Sequence, residues 1–283
     1  MNFIKNIVCV LLLSTQGCDT GNLIVKADLP GSLKEVSGTE TAYGSELIWM
    51  LNDRGNKANL YGLNAKGDII KKLKINAKNN DWEDLTSDPA GNLYIGDFGN
   101  NLNGRKNLAI LKVNHQDLKS DSLVNIERIS FKYSDQKKYP PKKKQMYFDC
   151  EAFFFYNDSL YLFTKSRVKN NFGKTNLYKL PARQGNHEAT LIGSFTTCDD
   201  LSCWTTSADI SNDGKSVVLL NHKSVWVFNN YKNDNFFSGD ATEYPLDHES
   251  QKEAVCFKSN NTLYITDETS RGGGGNLYEF QLD

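Results

Sequence analysis

Ten polar residues recur at similar intervals along this chain, in two series of five. The first series advances by 46, 68, 56 and 46 residues and consists of Ser37, Glu83, Glu151, Ser207 and Glu253. The second series follows the first by 16 residues in the first copy and by 14 in the other four, and consists of Asp53, Asp97, Lys165, Asn221 and Asp267. Carboxylates and hydroxyls at equivalent positions are the oxygen donors that hard cations prefer.

The apolar segments around these residues repeat with the same period, which is typical of a four-stranded β-propeller blade. In the three clearest copies, an apolar inner strand leads through a turn rich in Asn, Asp or Gly to a second strand containing Leu-Tyr. A third strand then begins with Asn-Leu. The sequence therefore predicts an all-β fold, a single β-propeller of five four-stranded blades. A sixth, degenerate blade is left open in the long step between Glu83 and Glu151.

The outermost strands are less regular, and we expect them at residues 69–75, 126–133, 190–195 and 241–246. The fifth blade has no such segment after it, because the chain stops at Asp283. Residues 23–27 are apolar enough to form its outer strand from the N-terminus. Such closure would leave no free edge between the first and last blades.

The repeat also places the two polar series at one mouth of the propeller. A residue that opens an inner strand and one that closes the next antiparallel strand lie at the same end of a hairpin. The first series would therefore form an inner ring around the axis, and the second an outer ring that includes the candidate ligand-facing residues Asn221 and Asp267. Three glutamates around one narrow axis repel, so they must bind protons or a cation. Oxygen-only ligands favour calcium as the cofactor, and the alternative is that the glutamates accept backbone N–H bonds and join the blades.

The N-terminus indicates export. Lys5 precedes a short apolar run, and Gly17-Cys18 follows it, which resembles a bacterial lipobox in which Cys18 is lipidated. The residue three places before the cysteine is Thr15 where an aliphatic residue is usual, so a plain signal peptide cut nearby is the alternative. The predicted division is a lipoprotein signal peptide over 1–18 and a propeller domain over 19–283. The expected location is the bacterial cell envelope, with the periplasmic or surface face left open.

The composition limits the classes of binding partner that we expect. The chain has 33 basic and 34 acidic residues, so net charge gives no reason to expect a nucleic-acid partner. The only membrane contact that we expect is through the lipid anchor, and the expected state is a monomer. In an oxidising compartment, the short segment between Cys198 and Cys203 could close as a disulfide. The remaining cysteines lie in apolar strand candidates, where buried free thiols are expected.

The order Ser, Glu, Glu, Ser, Glu of the inner ring resembles that of the calcium-activated nucleotidases (apyrase family), which are five-bladed propellers with one axial calcium. The resemblance implies that Ser37, Glu83, Glu151, Ser207 and Glu253 face calcium. The family's first-blade turn Asp-Asp-Arg-Thr-Gly is matched by Asn52-Asp53-Arg54-Gly55, and the Asp after the first calcium-binding Ser is Gly38 here. These departures argue against carrying over nucleotide hydrolysis. Phytase-like esterase propellers share the Glu-apolar and Leu-Tyr pattern and form a second resemblance.

Two functions follow from these residues. In the first, the chain is a binding protein in which axial calcium holds a small anionic molecule, or a glycan or peptide of the envelope. In the alternative, it is a calcium-dependent phosphohydrolase acting on nucleotides or phosphoesters. In that enzyme, Asp53, Asp97 or Glu151 would position the attacking water. Arg54 and Lys165 would offset the developing charge.

Overall fold

A computed structural model describes residues 19–270 and 273–282 of the chain. The predicted signal peptide and Cys18 lie outside the described residues. Within them the chain forms twenty β-strands and five short 3-10 helices, and no α-helix. The strands are β1 (Ile24–Asp28), β2 (Val36–Glu40), β3 (Ile48–Asn52), β4 (Asn59–Leu63), β5 (Ile69–Lys74), β6 (Trp82–Ser87), β7 (Leu93–Asp97), β8 (Ala109–Val113), β9 (Glu127–Tyr133), β10 (Asp149–Tyr156), β11 (Ser159–Lys165), β12 (Lys174–Pro181), β13 (Gly185–Thr196), β14 (Ser207–Ile210), β15 (Ser216–Leu220), β16 (Ser224–Asn229), β17 (Asp240–Pro245), β18 (Lys252–Ser259), β19 (Thr262–Asp267) and β20 (Asn276–Gln281). The 3-10 helices are Gly31–Leu33, His115–Lys119, Lys143–Gln145, Leu201–Cys203 and Phe236–Ser238.

The strands pair in fours. Three four-stranded antiparallel sheets have the orders β2-β3-β4-β5, β14-β15-β16-β17 and β18-β19-β20-β1. An eight-stranded sheet combines β6-β7-β8-β9 with β10-β11-β12-β13, because the outer strands β9 and β13 pair in parallel. Twenty strands in fours are consistent with the five predicted blades.

The inner strands form a closed ring. β2 packs beside β6, β6 beside β10, β10 beside β14, β14 beside β18, and β18 beside β2. This arrangement confirms the predicted all-β propeller fold. The N-terminal strand β1 pairs antiparallel with β20, as the sequence predicts, so the two ends of the described chain share one sheet.

Side chains join neighbouring inner strands around the axis. Asp84 Oδ2 accepts a hydrogen bond from the backbone N–H of Phe153, and Asp209 Oδ2 accepts one from that of Phe257. Inner strands have one edge without a strand partner, so these bonds satisfy N–H groups that would otherwise be buried and unpaired. The core lies between the blades, where strand residues such as Met50 and Phe153 are fully buried.

No helix in the described part of the chain is long and apolar enough to cross a membrane.

Candidate functional site

A small polar cavity lies at one mouth of the ring, where the inner strands begin. Its volume is about 110 Å³. It is lined by Ser37, Asp53, Glu83, Asn101, Glu151, Lys165, Arg167, Gln251, Glu253 and Glu268. Six of these residues belong to the two series found in the sequence. Glutamates from three separate blades therefore meet at one place.

Ser207 belongs to the predicted inner ring but does not line this cavity. Its hydroxyl lies 3.2 Å from both carboxylate oxygens of Asp84, and it accepts a hydrogen bond of 3.1 Å from the N–H of Val255. These contacts join three blades below the mouth. The Ser37 hydroxyl does reach the cavity, although its proton is donated to the carbonyl of Trp82 at 3.0 Å.

Asp97, a predicted catalytic residue, is fully buried beside the cavity and not in its lining. Its carboxylate accepts hydrogen bonds from Arg105 Nη2 at 2.9 Å and from Asn80 Nδ2 at 2.7 Å. These contacts hold the segment before β6 and the loop after β7 to the end of β7. The geometry places Asp97 in a structural network and not at an accessible site.

The predicted ligand-facing residues Asp267 and Asn221 also hold turns. Asp267 accepts hydrogen bonds from the N–H of Asn276 and the hydroxyl of Tyr278, both at 2.9 Å. Asn221 Oδ1 accepts one from the N–H of Ser224 at 2.8 Å. The second polar series thus closes the ends of β19 and β15, and two of its five members, Asp53 and Lys165, reach the cavity.

Glu151 has two cationic partners. Lys165 Nζ lies 3.0 Å from one of its oxygens and Arg167 Nη2 lies 3.1 Å from the other. Burial raises the pKa of Glu151, but the two cations outweigh burial and hold the pKa below its usual value. Arg167 also pairs with the buried Asp149. The negative charge of Glu151 is therefore already compensated within the protein.

A second group of carboxylates has weaker compensation, which Arg54 provides from a partly exposed position. Oxygens of Asp53, Asp81 and Glu83 all lie within 4.8 Å of one another. Asp81 Oδ1 is buried without a hydrogen-bond partner, and Arg54 Nε approaches it only to 3.5 Å. Burial, reinforced by Glu151 and Asp53, raises the pKa of Glu83 well above its usual value. Burial likewise raises the pKa of Asp53 to about 6.

Gly99 leaves room for this carboxylate group. A Cβ atom at Gly99 would overlap Glu83 Oε1 and would lie 2.7 Å from Asp81 Oδ2. The backbone therefore approaches the carboxylates in a way that only glycine permits. Sequence reasoning did not select Asp81, although it stands two residues before Glu83 and could have been found from that proximity.

Glu253 and Glu268 complete the acidic side of the cavity. Burial raises the pKa of Glu253 to about 7 and that of Glu268 to about 8. His222 Nε2 lies 3.8 Å from Glu253, but burial together with Lys165 and Lys252 lowers the His222 pKa to about 4, so the imidazole is neutral. Four carboxylates of the lining, those of Asp53, Glu83, Glu253 and Glu268, thus have raised pKa values, which a bound cation would lower.

Trp204 packs over the cationic side of the cavity. Lys165 Nζ lies 5.2 Å and Arg167 Cζ 4.8 Å from its ring centre, within the range of cation–π attraction. Its indole N–H donates to the carbonyl of Ser166 at 2.6 Å. The structure joins Cys198 and Cys203 in the disulfide that their spacing predicts, directly before this tryptophan.

No family model and no curated protein matches the chain. Similar solved structures exist at low identity. A virginiamycin B lyase from Staphylococcus aureus is 12% identical with a TM-score of 0.45, over 90% of this chain and 69% of that one. A streptogramin B lyase is 11% identical with a TM-score of 0.47, over 92% and 87%. A putative gluconolactonase is 13% identical with a TM-score of 0.49, over 88% and 77%.

The chain is a β-propeller. Its own strand pairing establishes that fold. The finer resemblance to apyrases and to phytase-like esterases has no counterpart among these similar structures and stays a prediction.

Proposed function

We propose that this chain is an exported, lipid-anchored propeller protein of a bacterial cell envelope whose acidic mouth binds a divalent cation. Calcium is the expected ion, and the bound ion would hold an anionic group of a small molecule or of an envelope glycan or peptide. The main support is the group formed by Asp53, Asp81 and Glu83, whose oxygens converge while one buried oxygen has no donor.

Charge explains why these residues suit a cation. Glu151 is neutralised by Lys165 and Arg167, whereas Glu83 and Glu253 accept no comparable ion pair among the described residues. Buried carboxylates without a partner either take up protons or bind a metal. Carboxylate oxygens with room for water are the donors that calcium prefers. This set overlaps the one predicted from the sequence but is displaced from the axis towards Asp53 and Asp81.

The size of the cavity limits what enters it. About 110 Å³ is small beside the 300–1,000 Å³ of typical small-molecule pockets. An ion with a few waters fits, and only a terminal group of a larger ligand would reach it. A bound cation would attract and polarise such a group. Lys165 and Arg167 line the same cavity, so a carboxylate or phosphate there would also face two cationic side chains.

Calcium titration of the purified protein, followed by calorimetry and thermal unfolding, tests this proposal. We expect calcium to raise the melting temperature, since an ion that binds only the folded state stabilises it. Asp81→Asn and Glu83→Gln should each weaken binding at least tenfold, whereas the matched control Glu46→Gln, an exposed residue in the loop between β2 and β3, should bind as the wild type does. Calcium binding should also release protons, because the carboxylates lose them.

The proposal fails if calcium leaves the melting temperature of the wild-type protein unchanged, or if the Asp81 and Glu83 variants bind as tightly as the control. Mg²⁺ should bind more weakly, because it demands a tighter octahedral shell.

The phosphohydrolase alternative is tested with the same protein. Calcium-dependent release of phosphate from a nucleoside diphosphate or an aryl phosphate, abolished by Asp53→Asn, would establish an enzyme. If neither substrate releases phosphate while calcium still binds, the result would favour the binding protein.

A further inference from the structure

A second, larger cavity lies at the opposite ends of the inner strands. Its volume is about 760 Å³, which is the size of a small-molecule site. It is formed by the last residues of β2, β6, β10 and β14 and by the turns that follow them. Because the blades converge on the axis, residues far apart in sequence meet in this cavity as they do in the acidic mouth.

Two buried carboxylates line the second cavity. Glu40 is 6% exposed and accepts a hydrogen bond of 3.0 Å from Ser87 Oγ. Asp209 is 7% exposed and accepts one bond from the N–H of Ile210 and one from the N–H of Phe257. In the part of the chain that the structure describes, no lysine, arginine or histidine forms an ion pair with either carboxylate.

The other acidic side chains of the lining are already engaged. Asp88 Oδ1 accepts two backbone N–H bonds, and its Oδ2 accepts the hydroxyl of Tyr94 at 2.9 Å. Asp213 lies at the rim and pairs with Lys215 at 3.5 Å. Glu40 and Asp209 are therefore the buried carboxylates of this cavity that have no ion-pair partner and accept fewer hydrogen bonds than Asp88 does. Burial raises the pKa of Asp209 to about 7, and burial with the charge of Asp209 raises that of Glu40.

Aromatic rings line the same cavity. Phe155 and Tyr156 lie at the end of β10 and are partly buried, and Tyr43 stands at the rim with 74% of its surface exposed, whereas the Phe257 side chain is 2% exposed and packs in the core. Aromatic faces attract organic ammonium groups and also pack against apolar bodies. No lysine or arginine is among the residues that line this cavity.

We infer that this cavity binds an organic cation, with its ammonium group between Glu40 and Asp209 and its apolar body against the aromatic rings. The ligand class follows from three independent features, which are the buried carboxylates without an ion-pair partner, the aromatic walls and a volume that accommodates a small molecule. An inorganic ion would leave most of the cavity unfilled and would make no use of the rings.

This site is separate from the acidic mouth. Between the two cavities, Asp84 is hydrogen-bonded to Ser207, and Thr39 is hydrogen-bonded to Thr266. All four side chains are fully buried. The two cavities have no lining residue in common. The inference therefore does not depend on the cation site of the proposed function.

The test compares two probes of nearly equal shape on the purified full chain. Binding of 4-phenylbutylamine and of the neutral 4-phenylbutan-1-ol is measured by calorimetry and by saturation-transfer NMR. We expect the amine to bind at least about tenfold more tightly than the alcohol, which corresponds to about 1.4 kcal/mol. Saturating calcium should not displace the amine, because calcium would occupy the other mouth.

Variants locate the binding. Glu40→Gln should weaken binding of the amine about tenfold or more. Tyr43→Ala, at an exposed rim position that does not contribute to the core, should weaken binding of the amine about threefold. Glu46→Gln removes an exposed carboxylate from the same loop and should bind the amine as the wild type does. Absence of amine binding at millimolar concentration, equal binding of amine and alcohol, or equal binding by wild type, Glu40→Gln and Tyr43→Ala would each overturn the inference.

Discussion

Replacing Glu253 by glutamine should change how the stability of the protein depends on pH. The Glu253 side chain is 11% exposed, and burial raises its pKa from 4.5 to about 7. A group whose pKa is raised in the folded state contributes stability below its unfolded pKa and loses that contribution as the pH rises through the folded pKa. In the absence of a divalent cation, wild-type stability should therefore fall between pH 5 and pH 8.

The size of the effect follows from the pKa. A change from 4.5 to about 7 corresponds to about 3 kcal/mol at 1.36 kcal/mol per pH unit. Part of this is shared with Glu268, whose pKa is raised partly by Glu253, so we expect about 1–3 kcal/mol for Glu253 alone. Glutamine keeps the shape of the side chain but cannot ionise. At pH 8 the variant should thus be more stable than the wild type by that amount, and at pH 5 the two should be nearly equal.

Urea unfolding in chelator at pH 5, 6, 7 and 8, followed by tryptophan fluorescence, measures the difference. Glu46→Gln serves as the control, and its free energy of unfolding should track the wild type at every pH. With calcium present, the difference in the free energy of unfolding at pH 8 should narrow or change sign. The reason is that the wild type keeps the Glu253 carboxylate as a partner for the ion, which the variant lacks. A difference between Glu253→Gln and the wild type that stays constant across this pH range, or that is largest at pH 5, would refute the argument.

Three further substitutions test other parts of the structure. Asp84→Ala should lower the free energy of unfolding by about 3 kcal/mol, measured in urea, because it removes an acceptor that joins three blades; a loss below about 1 kcal/mol would contradict that role. Trp204→Leu should leave thermal stability nearly unchanged and weaken binding of an anion such as phosphate to the calcium-loaded protein about threefold to tenfold, measured by calorimetry, because the ring no longer restrains the two cations beneath it; unchanged affinity would contradict it. Cys198→Ser should cost about 2 kcal/mol in the same urea assay, the loop-closure value for so short a ring, and wild-type protein under reducing conditions should lose the same amount.

The fold was largely predictable because each strand follows from a local sequence pattern, and these patterns recur along the chain with a regular period. The outer strands expected at 69–75 and 126–133 are observed as Ile69–Lys74 and Glu127–Tyr133, and the N-terminal strand closes the last sheet. The parallel pairing of β9 with β13 was not predicted. It depends on the length of β13, which begins at Gly185, so that residues 185–189 ahead of the expected 190–195 pair with β9.

The candidate site was predictable only in part. The repeat correctly brings Glu83, Glu151 and Glu253 together, because equivalent inner-strand positions must face the same mouth. It could not distinguish which carboxylate would find a cation, since Arg167 reaches Glu151 from a loop outside the repeat. Asp81 belongs to neither polar series, although it stands two residues before Glu83 just as Asp149 stands two residues before Glu151. The close approach of Gly99 to both carboxylates could not be read from the sequence.

Neighbouring acidic residues on one strand show why burial alone does not identify a ligand site. Asp84 and Glu83 are adjacent on β6, and both are buried. Asp84 accepts hydrogen bonds from the N–H groups of Leu85 and Phe153 and lies within hydrogen-bond distance of the Ser207 hydroxyl, and these contacts offset part of the cost of its burial. Glu83 faces the cavity, where the surrounding groups are mainly other carboxylates. The proposed alternative that glutamates join the blades thus applies to the aspartate one residue further along, and it is Glu83 that still requires a cation or a proton.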